Sequence, residues 1–209
     1  MMNYRKIIPS FLIKILFHLR QFFLWYKQGF LSNAPQLIKQ NIFYKYGITN
    51  APWVETGTFF GDTTDFLIKH FPKVYSIEPS KYLFDYVVKR FKNKKNVILY
   101  NNVSEKILPE LLPNLNGDIN FWLDGHYSSG ITFKGDQECP IKDELNQIGI
   151  NLEKFNKVLI LIDDVRCFMP NNEFKEYPSI NDLVDWSRKN RFNWIIEHDI
   201  FIMFNFDYN

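Results

Sequence analysis

Residues 53–64 run Trp53-Val54-Glu55-Thr56-Gly57-Thr58-Phe59-Phe60-Gly61-Asp62-Thr63-Thr64. A short apolar run ends at Thr56, two glycines follow within five positions, and an amphipathic segment opens at Thr63. Glycine lets the backbone turn tightly and approach a ligand closely, and a helix starting at such a turn presents unpaired N–H groups. Turns of this kind are also common for purely structural reasons, so their meaning depends on what recurs downstream.

The strand-then-helix pattern does recur. Trp53–Thr56, Val74–Glu78, Val97–Tyr100, Ile119–Leu123 and Val158–Ile162 read as five buried strands. Between them Thr63–Phe71, Ser80–Phe91, Ser104–Leu112 and about Lys142–Leu152 read as helices. Pro178–Asn190 is a further helical candidate, and Trp194–Glu197 with Ile200–Phe206 flank a turn at His198-Asp199. Alternation of this kind predicts an α/β protein: a doubly wound, Rossmann-like, mostly parallel seven-stranded sheet closed by a C-terminal β-hairpin. In such sheets ligands sit at the carboxyl ends of the strands.

Composition narrows the class further. The 209 residues are 46% hydrophobic and 23% charged, enough apolar material for a sizeable core and too much for a disordered chain. A net charge of +2 argues against a dedicated nucleic-acid binder. Cys139 and Cys167 match no zinc or redox spacing, and no apolar run is long enough for a confident membrane span.

Charge is unevenly distributed. From Met1 to Val54 there is no Asp or Glu, while Arg5, Lys6, Lys14, Arg20, Lys27, Lys39 and Lys45 give +7, leaving −5 for the remainder. Residues 1–50 therefore read as an N-terminal pair of helices ahead of the sheet domain at 51–209. The first helix spans Ser10–Gln28 after Pro9; Phe11, Leu12, Ile15, Leu16, Leu19, Phe22, Phe23 and Tyr26 share one broad face, opposite Ser10, Lys14, His18, Gln21 and Gln28. Two readings stand: a helix lying on an anionic membrane, or one whose apolar face packs on the domain or on a second subunit as a homodimer. A second helix runs from Pro35 to about Tyr46, with Asn33 as its cap and Gly47 as its stop.

Polar residues cluster where the strands end. Glu78 closes the second strand 23 residues after Glu55, the place where an acid accepts both hydroxyls of a ribose. The alternatives are a solvated strand-end charge or a cap for the helix near Ser80; combined with the glycine turn, the nucleoside reading is preferred. Asn101-Asn102-Val103-Ser104 ends the third strand, where polar groups can border an adenine or cap a helix. The fourth strand leads into Asp124-Gly125-His126-Tyr127 and the fifth into Asp163-Asp164. Acids gathered at one sheet edge repel unless something positive lies between them, and a hard cation such as Mg²⁺ suits oxygen ligands. Helix capping is the plainer alternative, above all for Asp164.

Glu55–Gly61, Tyr75-Ser76-Ile77-Glu78, Phe121-Trp122-Leu123-Asp124-Gly125-His126-Tyr127 and Leu161-Ile162-Asp163-Asp164 together resemble class I S-adenosylmethionine-dependent methyltransferases. The nearest branch is a set of small bacterial proteins with a Leu-Asp-Gly/Ala-His-Tyr block; the macrocin O-methyltransferase group, Mg²⁺-dependent and acting on sugar hydroxyls, is also similar. The likeness covers about Trp53 to Phe206. It implies that Glu55, Gly57, Thr58, Gly61, Glu78, Asn102 and Asp124 hold the cofactor, and that Asp124, Asp163 and Asp164 correspond to metal-binding acids. The middle glycine common in the first motif is absent, and Val103 stands where an acid is frequent.

The expected activity is methyl transfer to an oxygen nucleophile, with Asp124 and His126 as catalytic residues and a small-molecule or glycan hydroxyl as acceptor. No nucleic-acid partner is expected, and the expected location is cytoplasmic or peripheral on the inner face of a membrane. A nicotinamide-dependent oxidoreductase shares the glycine turn and Glu78 but gives no reason for the later acids. A catalytically silent, membrane-associated binding protein on the same fold is the third reading.

Overall fold

The structure is a computed structural model, and it describes residues 10–30, 32–125, 139–170 and 177–207. Two helices, α1 (Ser10–Lys27) and α2 (Gln36–Tyr46), precede the alternating body. There β1 (Trp53–Thr56), α3 (Asp62–His70), β2 (Val74–Ile77), α4 (Lys81–Phe91), β3 (Val97–Tyr100), α5 (Ser104–Leu111) and β4 (Gly117–Leu123) follow in turn. The chain continues with α6 (Ile141–Asn151), β5 (Phe155–Ile162), α7 (Ile180–Lys189), β6 (Asn193–Glu197) and β7 (Ile200–Phe204).

The seven strands form one sheet in the order β3-β2-β1-β4-β5-β7-β6. Strands β1 to β5 pair in parallel, and β7 runs antiparallel to both β5 and β6. The hairpin turn is at His198 and Asp199, both left-handed at φ 50° and 68°, which matches the right-handed twist of the flanking strands. This is the doubly wound, mostly parallel sheet that the alternation predicts, with element ends displaced by up to three residues.

The central strands are continuous apolar runs because both their faces are covered. On one side Val54, Phe121, Leu123, Ile160 and Ile162 pack beneath α5 to α7 with Leu108, Ile148 and Leu183. On the other, Trp53, Trp122, Leu159 and Leu161 meet Leu67, Val87 and two residues of α2, Ile42 and Phe43. The Phe43 ring stands edge-on to Trp53 at 5.5 Å and to Trp122 at 4.8 Å. Helix α2 thus shares a core with the sheet.

Two local expectations change. Asn33 does not cap α2: the helix begins behind Pro35 without a side-chain cap bond. Proline there has no N–H to satisfy and a φ already suited to a helix start. Gly47 does end the helix, by an extended ψ of 131° and not by a left-handed turn, and crowding keeps the position glycine. At φ −59° it has ordinary backbone, whereas an added Cβ would lie 2.4 Å from the Phe43 carbonyl oxygen and 2.7 Å from the Phe71 ring.

Helix α1 is oriented opposite to a helix that buries its greasy side. Trp25 is buried, its Nε1 donates to the Ser32 carbonyl at 3.1 Å, and its ring meets His198 and Phe30. At about 100° per residue, Trp25 lies between Lys14 and His18 on the polar side. Ile15, Leu16, Leu19, Phe23 and Tyr26 are exposed. The expectation that this face packs on its own domain is therefore not met among the described residues.

A buried asparagine fixes the link between α2 and the sheet. Asn120 on β4 accepts from the Ile48 N–H at 2.9 Å and donates to the Ile48 carbonyl at 3.1 Å, with weaker contacts to Ala51 and Pro52. Asn120→Ala leaves these loop groups without their partner, at about 1–3 kcal/mol for each group left buried and unpaired. Denaturant unfolding is expected to show a loss in that range with unchanged m-value.

Candidate functional site

The sheet order reverses between β1 and β4, which places the crevice of a doubly wound fold at Thr56 and Leu123. Gly57 leaves β1 there at φ +82°, and a Cβ on it would stand 2.2 Å from the Asp124 carbonyl oxygen. Only glycine permits the two strand-end loops to touch. The Gly57 and Thr58 N–H groups donate to the Ile77 carbonyl at 3.0 and 3.2 Å. Phe59 is also left-handed, at φ 53°. Gly61, at φ +81°, opens α3; a Cβ there would strike the Phe91 ring at 2.6 Å.

Glu55 supports this turn from behind. It is fully buried, and one carboxylate oxygen accepts from Thr64 Oγ1 and Ser76 Oγ, each at 2.6 Å. Its other oxygen has no hydrogen-bond partner among the described residues. Burial pushes its pKa up to about 7 despite those two bonds.

Glu78 faces a cavity of about 640 Å³. Its Oε2 accepts from the Phe59 N–H at 2.8 Å and its Oε1 from the Ser80 N–H at 2.9 Å. Each oxygen keeps a further lone pair, so the carboxylate can still receive two hydroxyls. Burial raises its pKa, opposed by the two backbone N–H groups. Asn102 lies outside this cavity: it is exposed, and its side-chain oxygen accepts from the adjacent Val103 N–H. Asn101 instead donates to the Glu78 carbonyl at 2.8 Å. The cavity wall beyond Glu78 is apolar, made by Pro79 and Leu83.

Asp124 and Asp164 line the same cavity as Gly57, Thr58 and Glu78. Among the described residues, Gly61, Glu55 and Asp163 stand behind the lining. His126 lies outside the described residues.

The sequence called for a positive charge among the acids, and the fold supplies one from α2. Lys39 is 6% exposed and its ammonium pairs with Asp163, itself 1% exposed. Burial alone pulls the lysine pKa down, but the charges of Asp163, Asp124 and Asp164 outweigh it and hold the ammonium above the ordinary range. The same Nζ lies 5.6 Å from the centre of the Trp122 ring. Asp164, left-handed at φ 56°, is bound by Arg166 at 2.7 Å, and Arg166 also pairs with Asp199. These acids do not fit the Mg²⁺ site expected at Asp124, Asp163 and Asp164. Two of the three are already held by cations of the chain, and no cluster of His, Cys, Asp and Glu among the described residues has a metal-holding arrangement.

Lys39 escaped the reading of the sequence, although a signal was present. The buried positions of α2 are Lys39, Ile42, Phe43 and Tyr46, an i, i+3, i+4, i+7 stripe with a lysine at its head. A lysine in a core stripe requires an internal partner. Gln21, Leu24 and Trp25 of α1 likewise reach the cavity wall.

The Glu55 environment sets a pH dependence. A carboxyl whose pKa is raised on folding stabilises fully below its unfolded value, near 4.5, and loses that contribution as pH rises through about 7. Glu55→Gln keeps an acceptor for Thr64 and Ser76 without the charge. Thermal melts are expected to show near-equal proteins at pH 5 and a more stable variant at pH 8.

No protein-family model matches the chain, and neither does any protein of curated function. Solved structures do. A Streptococcus mutans protein assigned as a methyltransferase, in complex with SAH, aligns at TM-score 0.52 and 16% identity over 83% of this chain and 97% of its own. A SAM-dependent methyltransferase from Aquifex aeolicus aligns at 0.51 and 16% over 82% and 93%. A Clostridium thermocellum protein assigned as an rRNA methylase aligns at 0.52 and 10% over 83% and 97%. The chain therefore has the Rossmann-like fold of S-adenosylmethionine-dependent methyltransferases.

Proposed function

We propose that this protein transfers the sulfonium methyl of S-adenosylmethionine to a hydroxyl of a sugar or other small polar acceptor. The observation carrying this reading is the convergence of Gly57, Glu78 and Asp124 on one cavity at the β1/β4 switch point. Glu78 is the ribose acceptor, with Pro79 and Leu83 as an apolar bed for the adenine. The cofactor supplies an electrophilic carbon; the acceptor oxygen forms the new C–O bond, the S–CH₃ bond breaks to leave SAH, and the hydroxyl proton goes to a base. Asp124 lines the cavity beside the glycine turn and is the first candidate for that base; His126, two residues on, is the second. Mg²⁺ has no step in this scheme, since the residues present do not fit it. An acid-rich site on a body of net charge −5 favours a neutral acceptor over a polyanion.

A second observation supports a membrane location for the acceptor. No described helix is long and apolar enough to cross a membrane. Yet α1 turns its polar side to the cavity and its apolar side outward, within a segment carrying five basic residues up to Lys27 and no acid. That combination suits an anionic lipid surface, where each Lys or Arg contributes about 1 kcal/mol.

Two measurements test these proposals. Glu78→Ala removes a charged acceptor for ribose hydroxyls, each such bond being worth roughly 1.5–3 kcal/mol, so calorimetry with SAH is expected to show affinity reduced at least about tenfold. Unchanged affinity overturns the ribose assignment, and methylation of RNA in place of glycans overturns the acceptor class. Flotation with anionic vesicles is expected to carry the full chain at low salt and lose it at high salt; a protein that stays in the soluble fraction at low salt contradicts the membrane contact.

A further inference from the structure

We infer that Lys39 is the resident cation of the acid cluster, a positioning residue that takes the place of a divalent metal and makes the site metal-independent. Where methyl transfer is the activity, the acceptor then meets a site whose charge is set by the chain itself. The inference rests on that reading only for this consequence.

The geometry carries it. Asp124 follows β4 and Asp163 follows β5, adjacent parallel strands whose registers run Leu123 against Ile162. Their carboxylates therefore emerge side by side at one sheet edge, where like charges cannot be buried together without a counter-charge. Lys39 enters from α2, on the opposite face from α5 and α6, and is fixed there by its neighbours in the stripe, Ile42 and Phe43, both fully buried. Its ammonium pairs with Asp163, lies over Trp122, and lines the cavity together with Asp124 and Asp164. An ammonium offers three N–H donors and no vacant coordination position, so it neutralises the acids and orients hydrogen bonds without acting as a Lewis acid. A second cation, Arg166, closes the far side by holding Asp164 against Asp199. Asp163 and Asp164 thus each have a cationic partner from the chain, and a divalent ion bound by either carboxylate must compete with Lys39 or Arg166.

Mn²⁺ serves as the probe, titrated into the full-length protein and followed by electron paramagnetic resonance. The wild type is expected to show no saturable site at millimolar Mn²⁺. Lys39→Met exposes the carboxylates and is expected to bind at least tenfold more tightly, while Lys39→Arg restores the wild-type behaviour. If Lys39→Met fails to fold, Lys39→Met combined with Asp163→Leu removes both buried charges and is expected to fold and to bind no Mn²⁺. A stoichiometric Mn²⁺ site in the wild type that disappears in Asp163→Asn overturns the inference, as does a folded Lys39→Met with no gain in Mn²⁺ binding. None of these readouts depends on methyl transfer, so failure of the proposed activity, seen as absent SAH binding, is distinguishable from failure here.

Discussion

Lys39 and Asp163 cannot be buried separately. Removing a carboxylate or an ammonium from water costs several kcal/mol, on the order of 3–5 kcal/mol when one partner of such a pair is lost. The pair bridges 124 residues of sequence, joining a helix that precedes the sheet to the carboxyl end of β5. Helix α2 is consequently not an appendage. Its ion pair, its Phe43 contacts with Trp53 and Trp122, and the Asn120 clamp on the loop at Ile48 all fix it to the strands that carry the site. The salt bridges from Lys45 to Glu197 and the Tyr46 hydroxyl on the same carboxylate extend this attachment to the hairpin.

The second constraint is the contact between the loops after β1 and β4. Gly57 leaves room for the Asp124 carbonyl, Glu55 ties the turn to Thr64 and Ser76, and Glu78 ties Phe59 to the end of β2. Glu78 has two functions in this arrangement: it shapes the turn through backbone N–H groups and retains acceptor capacity toward the cavity. A buried Glu55 with a raised pKa is tolerated because it holds the turn together, at a cost in stability that grows with pH.

Much of this was legible in the sequence because parallel strands buried on both faces are read from apolar runs, and because chemistry in such folds sits just past each run. Glu78, Gly57 and Asp124 were found in that way, and the cavity brings them together. The Mg²⁺ expectation finds no support among the described residues, for a specific reason. Three acids at one edge reveal a need for positive charge, but periodicity cannot say which residue 124 positions away will meet it. Asn102 was placed by its neighbourhood in sequence, yet β3 is a short edge strand and its final loop turns Asn101, not Asn102, toward Glu78. Helix α1 has a hydrophobic face that the sequence identifies correctly; the direction in which that face points depends on Trp25, a single aromatic on the polar side.

One site is thus assembled from α2 and the ends of β1, β2, β4 and β5, with Asp163 and Asp164 each paired to a cation of the chain. The most direct measurement is a crystal structure of the full chain grown with SAH and excess MgCl₂. The predicted result is an adenosyl group with its ribose on Glu78, the Lys39 ammonium on Asp163, and no metal among Asp124, Asp163 and Asp164. A magnesium ion coordinated by Asp124 and Asp163, with the Lys39 side chain displaced, would contradict the account.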